Sequence, residues 1–529
     1  MSSQNEEESG AESQAQSKAL SRRAYLKEAG MGVTGLAFGA AVLLEGATEA
    51  KAEALVLADA TPEVPPVVTH HSIQTAGGKL SYTVTTGMMP LKSDVGEKEA
   101  DIFFMAYTLD GVERKEKRSL MFSFNGGPGS ASVWLHMGAL GPKRVKMLED
   151  GGLPPPPYEL VENPETWLTH TDLVFIDPVG TGFSRPSKPE LGKKFWGVQG
   201  DIASIGEFIR LYLTRNERWR SPLFLVGESY GTTRAAGLSG YLIEKGIALN
   251  GIVLISSVLN FQTLNFAKGN DLPYALFLPT YCATAWYHKK LGNDLQADLK
   301  KTLAEVEKWV ETDYTVALAK GDSLVGKERT EIVSHLARYT GLSKKYIEDS
   351  NLRIDIFRFC KELLRDQKRT VGRLDSRIKG FDTLNVSETP DFDPSMTAIR
   401  PPFTSLFNDY VRTELGYKTD VEYYILGGGI KTPWEWGTGN GYADTSESLR
   451  SAFAKNPYMK LFVGSGYYDL ATPYFATRYT LNHTDLASEF HANISLGFYE
   501  AGHMMYIHKE SLAKLQKDVA KFLEANGKG

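Results

Sequence analysis

The stretch "PLFLVGESYGTT", residues 222–233, places a serine between two glycines, directly after an apolar run and before a helical pattern. A strand, a sharp turn and a helix in this order form the context of a nucleophile elbow, which exposes a serine hydroxyl at the end of a buried strand. Gly227 and Gly231 suit such a turn, because no side chain fits two residues before or after the serine. Ser229 is therefore the candidate nucleophile, and Glu228 stands directly before it.

Short apolar runs bounded by glycine or proline alternate with amphipathic helical patterns in two separate parts of the chain. The runs are residues 119–124, 172–177, 222–227, 251–257, 460–466 and 494–502. The helical patterns are residues 201–216, 232–246 and 510–527. Continuous short apolar runs are typical of strands buried on both faces. The expected fold class is therefore α/β, with a mostly parallel sheet and helices on both of its faces.

Residues 261–455 interrupt this alternation with charged helical patterns and a stretch rich in proline, glycine and aromatic residues. We expect a mainly helical cap inserted between two halves of one sheet, residues 65–260 and 456–527. Ahead of the parallel strands, residues 72–86 and 100–111 alternate apolar and polar side chains. This period of two, with glycines at a turn, predicts antiparallel strands at the edge of the sheet.

The composition indicates a globular protein that does not bind nucleic acid. Of the 529 residues, 42% are apolar, and the net charge of -5 offers no basic surface for a phosphate backbone. No spacing of cysteines and histidines predicts a metal site, and no cofactor is expected. The His70–His71 pair is expected in a solvent-exposed loop. Cys282 and Cys360 are able to pair in an oxidising compartment, or to remain two buried thiols.

Residues 1–52 have the order of an export signal. Residues 21–27, "SRRAYLK", precede an apolar run at residues 29–44, and "AKA" at residues 50–52 offers small residues for cleavage. The adjacent arginines resemble a twin-arginine signal, which predicts a periplasmic or extracellular protein. A membrane anchor is the alternative, but the run is rich in glycine and alanine and short for a spanning helix. After removal of the signal, no stable membrane span is expected.

Two further residues complete a candidate catalytic triad with Ser229. Asp469 follows the predicted strand at residues 460–466, and His503 follows the strand that begins at residue 494. Open α/β sheets carry their sites at the carboxyl ends of strands, and a serine needs a base that is oriented by an acid. The order serine, aspartate, histidine is that of the α/β-hydrolases. Taken alone, the aspartate suits a turn and the histidine a loop; together, the three predict a triad.

The stretch "FNGGPGSAS", residues 124–132, is the candidate oxyanion loop. Its glycines let backbone N–H groups approach a negative oxygen, so Gly127 and the amide of Tyr230 are the expected donors. A phosphate-binding loop is the alternative interpretation. The lysine that such a loop needs is missing, and residues 177–186 fail the dinucleotide pattern because Arg185 replaces its last glycine.

The motifs "FNGGPGSAS", "IDPVGTGFS", "GESYGT", "GSGYYDLATP" and "AGHM", in this order, resemble those of the serine carboxypeptidases. The resemblance covers roughly residues 100–260 and 455–525. It implies an α/β-hydrolase fold with Ser229, Asp469 and His503 as the triad. It also implies removal of C-terminal residues from peptide substrates, usually best at acid pH. The sequence leaves the oligomeric state and the side-chain preference open.

The same resemblance gives Glu228 a role in substrate binding. It implies that Asn125, Gly126 and Glu228 bind the terminal carboxylate of the substrate. A carboxylic acid donates a hydrogen bond to a carboxylate only while it is protonated. The alternative is that Glu228 holds the elbow loop in place.

One departure from the family pattern weakens this carboxylate site. Ala139 stands where family members commonly carry a second glutamate that shares a proton with the first. Glu228 is therefore expected to ionise at lower pH than it would in a paired arrangement. An esterase, acyltransferase or aminopeptidase-like hydrolase remains an alternative function, and a non-catalytic envelope binding protein is a second. The presence of all three triad residues argues against the second.

Overall fold

The computed structural model describes residues 64–439 and 441–527, so the predicted export signal lies outside the described residues. Its strands, numbered in chain order, are β1 Val67–Thr75, β2 Gly78–Lys92, β3 Lys98–Leu109, β4 Leu120–Phe124, β5 Lys143–Val145, β6 Leu160–Glu162, β7 Asp172–Ile176, β8 Arg185–Pro186, β9 Leu223–Ser229, β10 Gly251–Ser257, β11 Thr370–Val371, β12 Lys379–Gly380, β13 Lys460–Gly466 and β14 Ile494–Tyr499.

The α-helices are likewise numbered in chain order. They are α1 Val133–Leu135, α2 Gly192–Phe195, α3 Val198–Arg215, α4 Tyr230–Glu244, α5 Leu272–Tyr287, α6 Asn293–Gln296, α7 Leu299–Trp309, α8 Thr315–Lys320, α9 Gly326–Thr340, α10 Lys344–Asp349, α11 Ile356–Glu362, α12 Pro394–Thr413, α13 Ser446–Lys455, α14 Tyr474–Asn482 and α15 Lys509–Asn526.

The described strands form one large sheet and two small two-stranded pairs. The order of the large sheet is β1-β2-β3-β7-β4-β9-β10-β13-β14, and β8 pairs with β3 at its side. β7, β4, β9, β10, β13 and β14 run parallel, whereas β1, β2 and β3 form an antiparallel meander. The predicted mainly parallel α/β sheet is confirmed, and it takes strands from both sides of residues 261–455.

Alternate side chains of the sheet enter two separate apolar cores. In β3, for example, Phe103 and Met105 pack on one face and Phe104 on the other. The first core also takes side chains from α12 and α15, and the second from α3, α4 and α13. Burial of both faces explains why the parallel strands are continuous apolar runs rather than alternating ones.

Helices α5 to α11 form a cap with an apolar core of its own. Cys282 and Cys360 lie buried in this core as free thiols. The helical pattern at residues 293–321 is divided into α6, α7 and α8, with a π turn at Val310–Tyr314. The proline-rich part of the segment contains α12, which continues through Pro401 and Pro402.

The antiparallel edge begins with a hairpin whose register pairs Thr75 with Gly78. The prediction that His70 and His71 lie in a loop is wrong, because both belong to β1, where the His70 ring bonds the Thr83 hydroxyl across the hairpin. Pro65 and Pro66 directly precede β1, so the proline-rich leader ends where this edge strand begins. In the described part of the chain, no helix combines the length and apolar character that crossing a membrane requires.

Candidate active site

The end of β9 has the strained geometry of a nucleophile elbow. Ser229 has φ 59° and ψ -131°, a region that residues other than glycine rarely adopt. A Cβ atom at Gly227 would lie 2.1 Å from the carbonyl oxygen of Gly231, and one at Gly231 would lie 2.8 Å from that of Phe124. Both glycines are therefore required by the turn, which leaves Ser229 only half buried at the strand end.

Asp469 and His503 come together at the carboxyl ends of β13 and β14. The Nδ1 atom of His503 lies 2.8 Å from Oδ2 of Asp469, and both residues are buried. Asp469 also accepts hydrogen bonds from the amides of Ala471 and Thr472 and, at 2.7 Å, from the Thr472 hydroxyl. Four donors thus fix this carboxylate, and because it is an acceptor, Nδ1 of His503 carries a proton and Nε2 is the free base.

Strand β10 holds the backbone of His503, and with it the ring, beside the elbow. Its carbonyl oxygen accepts a hydrogen bond of 2.6 Å from the hydroxyl of Ser256 in β10, and the next residue, Ser257, pairs with Ser229. Burial lowers the pKa of His503, but the Asp469 carboxylate outweighs it and raises the pKa above its usual range. Among the described residues, no hydrogen bond joins the Ser229 hydroxyl to the ring, and such contacts commonly tighten only when substrate binds.

The loop after β4 lies directly on the elbow. A Cβ atom at Gly126 would lie 2.4 Å from the amide nitrogen of Tyr230, so only glycine allows this approach. Gly127, the next residue, has φ 103°, which also favours glycine. The loop and the first turn of α4 therefore bring the two expected oxyanion donors to one corner of the site.

Glu228 directly precedes Ser229, and Asn125 directly precedes Gly126 in the loop after β4. Burial raises the pKa of Glu228 to about 7, against the opposing effects of His503 and a hydrogen bond donated by the Tyr506 hydroxyl. Asn125 Oδ1 accepts a 3.0 Å hydrogen bond from the Leu135 amide. Its Nδ2 is buried without a partner of good geometry among the described residues, although it lies near enough to Glu228 to lower that pKa. This pair offers donors to a ligand oxygen.

Comparison with known proteins assigns the chain to a family. A family model described as serine carboxypeptidase matches residues 78–513. The chain belongs to the serine carboxypeptidase family. The chain is similar in fold to Kex1(delta)p, a prohormone-processing carboxypeptidase from Saccharomyces cerevisiae whose crystal structure is known. The two superpose with a TM-score of 0.50 at 16% identity, over 84% of this chain and 91% of that one. The chain has the α/β-hydrolase fold.

Sequence relatives match over shorter stretches. Serine carboxypeptidase-like 36 of Arabidopsis thaliana is 30% identical over 172 residues, which are 31% of this chain and 33% of the relative. The pheromone-processing carboxypeptidase KEX1 of Komagataella phaffii is 34% identical over 104 residues, 19% of this chain and 15% of the relative. The chain thus spans a third or less of the length of these curated relatives.

A buried ion pair supports the backbone of Asn125 from behind. Arg234 in α4 pairs with Asp201 in α3 at 2.8 Å, and both side chains are almost fully buried. A second nitrogen of Arg234 donates a 2.7 Å hydrogen bond to the carbonyl oxygen of Asn125. Because a buried charge that loses its partner is costly, this pair holds the Asn125 backbone firmly against α4.

A segment of the cap, residues 373–377, binds the loops that carry both Asp469 and His503. The carbonyl oxygen of Leu374 accepts a hydrogen bond of 2.6 Å from the amide of His503. The carbonyl oxygen of Arg373 accepts one of 3.0 Å from the amide of Leu470. The Ser376 amide and hydroxyl both donate to the carbonyl oxygen of Tyr468. The cap is therefore part of the support of the acid and the histidine.

The structure brings the eight predicted site residues to the same edge of the sheet, around the end of β9. Several supporting residues were not predicted, among them Thr472, Tyr506, Leu374 and the Arg234–Asp201 pair. Thr472 and Tyr506 each follow a predicted residue by three positions, which is the only sequence signal for them. Among the described residues, no group of three or more metal-binding side chains is arranged to hold an ion.

Proposed function

We propose that the protein is a serine carboxypeptidase that removes the C-terminal residue of peptides through an acyl-enzyme. The observation that carries the proposal is the buried Asp469–His503 pair beside the strained Ser229 elbow, with Asn125 and Glu228 at the neighbouring corner. Family membership supports the reaction class.

In this mechanism, the Ser229 hydroxyl attacks the carbonyl carbon of the last peptide bond while His503 Nε2 accepts its proton. The Gly127 and Tyr230 amides donate to the oxyanion that forms. Asp469 keeps the imidazole in the required tautomer and stabilises the imidazolium. His503 then gives the proton to the departing amino group, and a water molecule, deprotonated by His503, hydrolyses the acyl-enzyme.

Recognition of the C-terminal end is assigned to Asn125, Gly126 and Glu228. The free Nδ2 of Asn125 donates to one oxygen of the terminal carboxylate, and neutral Glu228 donates to the other. Burial keeps Glu228 protonated up to about pH 7, so the acid is able to donate in acidic and neutral solution. Once it ionises, it repels the substrate carboxylate.

A fluorophosphonate probe and a pair of peptides test the proposal. The probe should label the wild type and Ser239→Ala, which removes a buried helical serine distant from the elbow, but not Ser229→Ala. A digest read by mass spectrometry should show shortening at the C-terminus, with free acids preferred over the matching C-terminal amides. Absence of labelling would favour the binding protein. Labelling with equal kcat/KM for acid and amide would favour the esterase or aminopeptidase-like alternative.

Export to the periplasm or beyond is part of the proposal and rests on the sequence of residues 1–52 alone. Replacing both Arg22 and Arg23 by lysine should retain the full-length precursor inside the cell, because the twin-arginine route requires the pair. Immunoblots of cell fractions measure this outcome. Unchanged export of the variant would contradict the twin-arginine interpretation without affecting the proposed activity.

A further inference from the structure

Tyr506 reaches Glu228 from the loop that carries His503. It lies in the short 3-10 turn Met505–Ile507, is almost fully buried, and donates its hydroxyl hydrogen to Oε2 of Glu228. Burial and the neighbouring Glu228 carboxyl both raise the pKa of Tyr506 above its usual range. The phenol therefore stays protonated, and remains a donor, at every pH at which the enzyme is expected to work.

The ring of Tyr506 is wedged against the π turn His136–Leu140. A Cβ atom at Gly138 would lie 2.5 Å from Cε2 of Tyr506, so the ring occupies the space that a side chain there would need. Ala139, the next residue of this turn, is fully buried, and its carbonyl oxygen accepts a 2.8 Å hydrogen bond from Asn163. The turn is thus fixed from both sides, and the Tyr506 ring has little freedom to leave Glu228.

A neutral carboxylic acid has one oxygen that donates and one that only accepts. Because Tyr506 donates to Oε2, a protonated Glu228 keeps its hydrogen on Oε1. We propose that Tyr506 is a positioning residue that selects substrates with a free terminal carboxylate, by binding one oxygen of Glu228 and leaving the other to donate. This inference rests on the proposed carboxypeptidase function and adds to it the residue that orients the acid.

The same hydrogen bond influences the pH range of activity. The titratable groups that face Glu228 are Tyr506, His503 and Asp469. A donor to a carboxylate favours the ionised form, so Tyr506 lowers the pKa of Glu228 that burial has raised. Loss of the hydroxyl should therefore move the loss of activity at alkaline pH to higher pH, whereas a purely structural effect would leave this limb in place.

The test is Tyr506→Phe, with Tyr499→Phe as the matched control. Tyr499 is equally buried, and its hydroxyl donates to Asp518 in α15, away from Glu228. Steady-state kinetics are measured from pH 4 to 9 on a blocked dipeptide and on its C-terminal amide. In Tyr506→Phe, the KM for the free acid should rise about tenfold, and kcat should stay within about twofold of the wild-type value. The alkaline limb should move upward, hydrolysis of the amide should be unchanged, and Tyr499→Phe should match the wild type.

The outcomes separate this inference from the proposed function. A wild type that does not prefer the free acid contradicts the proposed function. A wild type that prefers the acid, together with a Tyr506→Phe profile identical to it, overturns the role of Tyr506 alone. If Tyr506→Phe does not fold, 3-fluorotyrosine placed at position 506 keeps the side chain and strengthens its hydroxyl as a donor. The pKa of Glu228 should then fall further and the alkaline limb should move to lower pH, so an unchanged limb also overturns the inference.

Discussion

Two sides of the site, the Asp469–His503 pair and the Asn125–Glu228 pair, differ in how completely their hydrogen bonds are made. On one side, Asp469 accepts from four donors, and its partner His503 is held through its ring and its backbone. On the other side, Asn125 keeps a buried donor without a good partner among the described residues, and Glu228 has an acid proton to give. Buried donors are rarely left unpaired, so Asn125 Nδ2 is able to take a further acceptor. In the proposed function, the first side is assembled before substrate arrives, and the substrate carboxylate completes the second.

The largest expected effect comes from removing the groups that perform the chemistry. Ser229→Ala and His503→Ala should each lower kcat by on the order of 10⁶, and the double variant should lose little more, because the residues act as a unit. Kinetics on a blocked dipeptide with a free carboxylate measure this, with thermal melts to show that the variants fold. Losses that multiply in the double variant would contradict the assignment.

Asp469→Asn should lower kcat by about 10⁴, because the amide is able to donate to His503 and favour the wrong tautomer. The Ala471 and Thr472 amides still find an acceptor in the asparagine oxygen, so the fold should be retained. Pre-steady-state measurement of acyl-enzyme formation checks the prediction. A loss of less than tenfold would mean that Asp469 does not orient the base.

Glu228→Gln, on the second side, should change how kcat/KM depends on pH. In the wild type, kcat/KM for free acids should fall at low pH as His503 protonates, and fall about tenfold per unit above pH 7 as Glu228 ionises. Glutamine does not ionise, so the alkaline limb should disappear. The acid limb should stay in place, because Glu228 is already largely protonated below pH 7 and its replacement by glutamine removes no charge there.

Asp177→Asn is the matched control for this experiment. Burial also raises the pKa of Asp177 to about 7, but this acid accepts a hydrogen bond from the Ser132 amide and does not contact Glu228 or Tyr506 among the described residues. Its replacement should leave the alkaline limb in place. Disappearance of the limb in Asp177→Asn, or its persistence in Glu228→Gln, would assign the limb to a group other than Glu228.

Thr472→Val gives the smallest expected effect and tests whether Asp469 stays in place with fewer hydrogen-bond donors. It removes one of the four donors to Asp469 while keeping the shape of the side chain. Because three donors remain, kcat should fall by only about 3- to 10-fold. A loss approaching that of Asp469→Asn would show that the hydroxyl, rather than the two amides, orients the carboxylate.

Features that depend on residues close together in the chain could be predicted from the sequence, whereas contacts between distant residues could not. The strand predicted at residues 251–257 coincides with β10, because a short apolar run between turn residues is a local signal. Ser229 was found in the same way, from glycines within two residues of it. The bond from Tyr506 to Glu228 joins residues 278 positions apart, and no local pattern encodes such a contact. Helix α12 was not predicted, because Pro401 and Pro402 disfavour a helix at these positions. Its apolar side chains pack in the first core of the sheet, and this distant contact stabilises it.

The hydrogen bonds between residues 373–377 and the loops of Asp469 and His503 also restrict how substrate enters. The segment is also bonded to cap helix α5, through Ser376 and the side chains of Thr284 and His288, so a cap that swung away as a rigid body would pull on the segment and displace His503. We therefore expect substrate to enter along edges of the cap that do not include this segment. Exchange of caps between related enzymes should succeed only when the segment is retained, since a foreign cap without it would leave the histidine loop without its anchor.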